Sequence, residues 1–153
     1  MKEKNDFYQV SLKIILKNKK NEVLLLGSLP TGSFAGYYDL PGGRIDTDEF
    51  TTPFSGVIKR EVNEEIGNVK FTLNPKPVGV GRHLLPAAHS ATGSEIHILY
   101  LFFEAKYLKG EIKISPEHTG FKWVDLSKEK LSKLFKSGTL EGMKMYFSSK
   151  IQN

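Results

Sequence analysis

The sequence predicts an α/β protein, a two-sided sandwich with helices on both faces of a sheet. Three observations carry this. Short runs rich in β-branched and aromatic residues recur along the chain, one helical stretch near the middle carries an acidic and an apolar face, and the last thirty residues read as helices. At 153 residues the chain is one domain, 1–153, long enough to bury a full core.

Residues 7–17, FYQVSLKIILK, alternate partly and favour β structure, which predicts a strand. Residues 18–21 are a polar turn and 22–26 (EVLLL) a short buried strand, so the two form a hairpin. Residues 27–36 hold three glycines and a proline and form a loop. Residues 37–40 make a brief strand ahead of a turn at Pro41-Gly42-Gly43, where glycine lets the backbone approach a ligand or take positive φ. Thr52-Pro53 reads as an N-cap followed by proline at the first helical position. The helix runs to about Ile66, with Gly67 as its stop, and Gly56 weakens its first turn by up to about 1 kcal/mol.

Residues 69–85 and 95–107 are strands joined by the flexible loop PAAHSATGS. Residues 109–113 form a turn and short strand, 115–118 a polar loop, and 121–124 the last strand, with Trp123 in the core. Asp125-Leu126-Ser127 caps a helix starting near Lys128, and 139–149 form another.

Within the central helix, Ile58, Val62 and Ile66 make an apolar stripe that anchors in the core. Glu61, Glu64 and Glu65 share the adjacent face, because three- and four-residue steps return to nearly the same side. Like charges so spaced repel by a few tenths of a kcal/mol per pair. A solvated acidic face is one reading of them. A site for a hard cation such as Mg2+, which takes oxygen ligands, is the other, and the Gly-Gly turn upstream favours it. His83, His89 and His97 are too widely spaced to suggest a metal cluster.

Composition narrows the partners. The chain has no cysteine, so neither a disulfide nor a thiolate metal site can form. No apolar run is long enough to span a bilayer. The N-terminus, MKEKNDFYQV, has charges without an apolar stretch behind them and is not a signal peptide, so a cytoplasmic protein, monomer or homodimer, is expected. The net charge of +5 comes from dispersed lysines with no nucleic-acid-binding motif. A small phosphorylated substrate, rather than nucleic acid, suits that mild field.

The stretch 40–67, LPGGRIDTDEFTTPFSGVIKREVNEEIG, resembles the Nudix box, G-x5-E-x7-R-E-U-x-E-E-x-G-U with U apolar. Gly43 and Glu49 match its first half, and residues 60–67, REVNEEIG, match its second half without a gap. Ten residues rather than seven separate Glu49 from Arg60, and Asn68 takes the final apolar position with Val69 following. That insertion is expected to loosen the coupling of Glu49, a supporting residue, to the helix.

The resemblance implies the Nudix fold, a mixed sheet between helices with the catalytic helix and its loop along one edge. It implies Mg2+-dependent hydrolysis, with Mn2+ as a substitute cation, of a pyrophosphate linkage in a nucleoside diphosphate joined to another moiety. Glu61, Glu64, Glu65 and the backbone carbonyl of Gly42 would hold the cation, and Arg60 would orient the box acids. In several relatives a loop glutamate before a tryptophan-containing strand is a further ligand or the general base, and Glu117 is its counterpart here. Either Glu61 or Glu117 would deprotonate the attacking water. Gly43 would lie against the substrate, and Tyr37, Tyr38, Phe34 and His83 are the candidates for stacking a base. Members often carry a basic residue after the second strand, where this chain has Gly27 and Ser28. No mark of an NADH, coenzyme A or dinucleoside-polyphosphate subgroup is evident, which leaves a nucleoside triphosphate or nucleotide sugar as the leading substrate. The alternative is a nucleotide-sensing Nudix-like module without catalysis. Such modules usually lose box acids, and all of Arg60, Glu61, Glu64 and Glu65 are present here.

Overall fold

The axis of the sheet is β1 (Gln9–Lys17). Its even positions Leu12, Ile14 and Leu16 are buried with one core cluster, and Ile15 with another on the opposite side. Lys13 shares the Ile15 side and is buried too. A strand buried on both faces needs two covering layers, and the chain supplies them. The computed structural model describes residues 4–151; residues 1–3, the start of the charged N-terminal stretch, and 152–153 lie outside the described residues.

Parallel pairing joins β1 along its whole length to β6 (Ile96–Lys109). On its other edge β1 meets two strands antiparallel, β2 (Val23–Ser28) at Lys17↔Val23 and β4 (Gly42–Arg44) at Ser11–Lys13. The β1–β2 connection is the expected hairpin; Asn21 takes the positive φ (59°) that asparagine tolerates. Outside these, β2 pairs with β3 (Tyr38–Asp39) and β7 (His118–Val124), and β6 with β5 (Lys70–Leu85). Among the described residues this makes one seven-stranded mixed sheet.

Helix α1 (Phe54–Ile66) covers one face through Val57, Ile58, Val62 and Ile66, against Leu12, Ile14 and Phe103. Short α2 (Leu131–Leu134) and α3 (Ser137–Ile151) cover the other, with Phe135, Met143 and Tyr146 over Ile15, Tyr100 and Phe102. The expected sandwich is present, and Trp123 packs, partly buried, beside Tyr107 on the α1 side.

Five local readings change. Gly42-Gly43 is not a free turn: it is paired to β1 as part of β4. Helix α1 begins at Phe54, with Pro53 as its cap; the Pro53 carbonyl accepts the first helical N–H groups, from Gly56 and Val57, and no side chain caps it. Residues 109–113 add no strand beyond the end of β6. The Lys113 and Ser115 amides donate instead to the carbonyls of Ile66 and Glu65, which a helix C-terminus leaves without partners. The chain then enters β7 at His118, three residues before the expected start. Finally, residues 126–128 form a 3-10 turn capped by Asp125, whose side chain accepts from the Ser127 amide, so the helix expected from Lys128 is only the short α2, while the helix expected over 139–149 is present as α3.

Candidate active site

Because α1 turns its apolar stripe to the sheet, Arg60, Glu61, Glu64 and Glu65 come to one wall of a cleft of about 460 Å³. Arg60 is the hub of this wall. Its guanidinium takes Glu49 in a two-bonded fork (2.8 and 2.5 Å), Glu61 at 2.8 Å and Glu64 at 3.3 Å, and donates to the Arg44 carbonyl at 3.2 Å. The planar five-donor geometry of arginine is what allows three carboxylates to share one cation. Arg60 in turn holds the Glu49 carboxyl below the usual carboxylate range.

The inserted residues do not loosen Glu49, contrary to expectation. Asp46 N–H donates to Glu49 Oε1, and the Thr52 amide donates to the Glu49 carbonyl, so the extra residues leave as a turn. Phe50, within that turn, is 93% exposed, while Glu49 stays beneath it on Arg60.

The two glycines have separate duties. Gly42 has φ 137°, and a side-chain carbon there would stand 2.8 Å from the Lys13 Cα and nearer still to the Leu12 carbonyl. Its N–H donates to Glu65 Oε1 at 2.6 Å. Gly43 makes room for Glu61, whose Oε1 lies only 2.6 Å from where a side-chain carbon would sit. Burial pushes the Glu61 carboxyl up, neighbouring Glu65 and Glu64 add to this, and Arg60 opposes them.

Glu65 is buried, unlike the exposed acids of a solvated face. The segment tied to the end of α1 brings Glu117 and His118 opposite it, with His118 Nε2 2.6 Å from Glu65 Oε2. Burial works against protonation of His118, and the Glu65 carboxylate outweighs it, so the imidazole titrates above its ordinary value. Ligand atoms of Glu65, Glu117 and His118 all lie within 4.8 Å of one another. With Glu61 and Glu64 alongside, this oxygen-rich donor set fits a hard divalent cation.

The far end of the cleft is built on β1, β5 and β6. Lys13, buried, bonds Asp39 at 3.0 Å and lies 5.7 Å from the centre of the Tyr100 ring. Burial alone would lower its pKa, but Asp39 and Glu65 raise it, so Lys13 stays charged. Phe34 packs against His83 with the rings tilted at 34° (centroids 4.6 Å), and the His83 ring nitrogens reach Ser137 and Ser33. Phe34, His83, Gly43 and Glu117 all line the cleft, as does Gly42. Tyr38 does not: it packs against the α3-side core, with the Lys122 ammonium 4.5 Å from its ring centre. His97 pairs with Asp6 and Glu95 away from the cleft. A larger cavity, about 750 Å³, lies along α1 and the start of β5, and no carboxylate lines it.

Sequence reasoning missed Lys13, Asp39 and the role of His118. The one signal for Lys13 was a lysine inside the apolar run SLKIIL, on the same side of the strand as Ser11 and Ile15. Asp39 stands directly before Leu40-Pro41-Gly42-Gly43, and His118 beside the candidate Glu117, but neither position advertises its partner.

Comparison with known proteins agrees with this fold. The chain superposes on a MutT protein from Methanosarcina mazei with a TM-score of 0.69 at 24% identity, covering 95% of both chains. It is also similar to a MutT Nudix hydrolase from Burkholderia pseudomallei (TM-score 0.61, 23% identity, 93% and 98% covered). A third similar structure is an ADP-ribose pyrophosphatase from Streptococcus suis (TM-score 0.60, 17% identity, 94% and 92% covered). Among the described residues no helix is long and apolar enough to cross a membrane. The family model for the NUDIX domain matches residues 7–141, most of the chain. This protein therefore belongs to the Nudix family, and the enzyme class expected from its sequence, a pyrophosphohydrolase, goes with that membership.

Proposed function

We propose that the protein hydrolyses a pyrophosphate linkage in a nucleoside diphosphate joined to another moiety, with Mg2+ as the cation and Mn2+ able to replace it. A nucleoside triphosphate or nucleotide sugar is the substrate class. The observation that supports this best is Arg60, which is anchored by Glu49 and holds Glu61 and Glu64 on the wall of the cleft that Glu117 also lines.

Glu61, Glu64, Glu65 and the Gly42 carbonyl would hold the cation. When bound, the cation neutralises phosphate charge and lowers the pKa of coordinated water. Arg60 keeps Glu61 and Glu64 from turning away. Either Glu61, on the α1 wall, or Glu117, on the loop opposite it, takes the proton from the attacking water. Gly43 leaves the backbone open to the phosphates, and Phe34 and His83 provide a ring wall for the base.

The test is a panel of nucleoside triphosphates and nucleotide sugars, with products separated by anion exchange, with and without Mg2+. Hydrolysis that disappears in excess chelator is expected. Full turnover in excess chelator refutes the cation's role, and tight binding of panel members without any turnover points to a sensing module instead.

A further inference from the structure

Among the acids of α1, Glu65 alone is gripped from two other elements. Its side chain is 6% exposed, against 58% for Glu64. Oε1 accepts from the Gly42 amide at 2.6 Å, and Oε2 lies 2.6 Å from His118 Nε2. The amide is set by the pairing of Gly42 with Lys13 in β1. The imidazole is set by the pairing of His118 with Ser28 in β2 and by the bond from its own amide to the Ser115 carbonyl. Arg60, which orders Glu49, Glu61 and Glu64, makes no hydrogen bond to Glu65 among the described residues.

An imidazole this close to Glu65 and Glu117 has two possible duties, cation ligand or orienting donor. A ligating histidine normally passes its second N–H to an acceptor. His118 Nδ1 is buried and finds no partner among the described residues, while Nε2 is engaged on Glu65. We propose that His118 is a positioning residue of the cation site, its Nε2–H holding Glu65 Oε2 so that the remaining lone pairs of that carboxylate face the cation. This rests on the reading of Glu61, Glu64 and Glu65 as the cation's ligands. His118 then does for Glu65 what Arg60 does for the other acids, from the opposite wall.

The experiment is Mn2+ binding to the full chain without substrate, followed by the EPR signal of free Mn2+ and by calorimetry. His118→Leu removes the donor and keeps water out; His118→Gln offers an amide N–H to the same oxygen. Loss of an outer-shell partner weakens metal binding roughly 10–100-fold, so His118→Leu should fall in that range and His118→Gln should recover most of the loss. A folded His118→Leu protein that binds Mn2+ as tightly as wild type overturns the assignment. Where the leucine variant fails to fold, wild-type protein with 15N-labelled histidine decides. A proton retained on His118 Nε2 with Mg2+ bound is expected; loss of that proton, or coupling of the ring nitrogen to Mn2+, makes His118 a ligand and overturns the positioning role. Failure of this assignment alone leaves Glu64→Gln still weakening Mn2+ binding. A wild-type protein that binds no divalent cation defeats the cation-site reading and this assignment with it.

Discussion

Replacing Gly43 by alanine separates chemistry from folding. The backbone at Gly43 is not in the positive-φ region, so an alanine fits without backbone strain. Restricting the unfolded chain then stabilises by about 0.4–1 kcal/mol. Against this, the new methyl would stand 2.6 Å from Glu61 Oε1, and nearer to the rest of that carboxylate. Contact between such atoms is comfortable at roughly 3.5 Å, so the carboxylate must retreat by at least about 1 Å. Glu61 cannot do so without stretching its 2.8 Å bond to Arg60, at a cost on the order of 1 kcal/mol. The two effects nearly cancel, and the melting temperature should stay within a few degrees of wild type. Turnover should not survive as well, since a misplacement of about 1 Å in a catalytic group costs on the order of 10²-fold. Gly42→Ala is the contrast. Its methyl would meet the β1 backbone, which cannot retreat, and its φ of 137° suits no side chain. A loss of about 2–5 kcal/mol of stability is expected. Thermal unfolding without metal, paired with Mg2+-dependent hydrolysis, measures both. Wild-type kcat in Gly43→Ala would refute the placement of Glu61 in the reaction, and equal destabilisation by the two substitutions would refute the reading of the clash.

Other substitutions probe the same frame. Glu49→Gln should lower metal-free stability more than Glu64→Gln, because Glu49 accepts two bonds, from Nε and Nη2 of Arg60, while Glu64 is exposed; equal unfolding midpoints would show the fork to be idle. Ile58→Ala, at a fully buried position, should cost about 2–5 kcal/mol yet leave the specific activity of the folded fraction intact, as denaturant titration and active-site counting would show. Stability should also fall in mild acid through His83, whose pKa is lowered by burial and by Lys136. The unfolded chain binds that proton first, so this contribution is complete above pH ~6.5 and is lost as pH falls below it. His83→Asn should flatten the melting profile between pH 8 and 5.5, and an unchanged slope would exclude His83 as its source.

What the sequence determined alone was whatever repeats over a few residues. The 3.6-residue period placed Ile58, Val62 and Ile66 against the core and left the four charged box residues together, and the structure keeps that division. Gly67, at φ 89°, ends the helix as expected. The alternation of β1 and β6 was likewise legible, because side-chain direction along a strand is fixed by the backbone itself. The tertiary structure decided the rest. Residues 109–113 look like a strand, but the orphan carbonyls of α1 claim the backbone donors of Lys113 and Ser115. Ten residues after Glu49 look like a break in coupling, but a turn can lengthen without moving its ends, and Glu49 remains on Arg60. Glu65 resembled its neighbours on the helix, yet its partners lie 23 and 53 residues away in sequence, on strands whose register no local pattern reveals. Lys13 and Asp39 meet across 26 residues for the same reason: β4 folds back on β1 beside them. Periodicity tells a residue which face it occupies, whereas the residue it meets there depends on how distant strands pair.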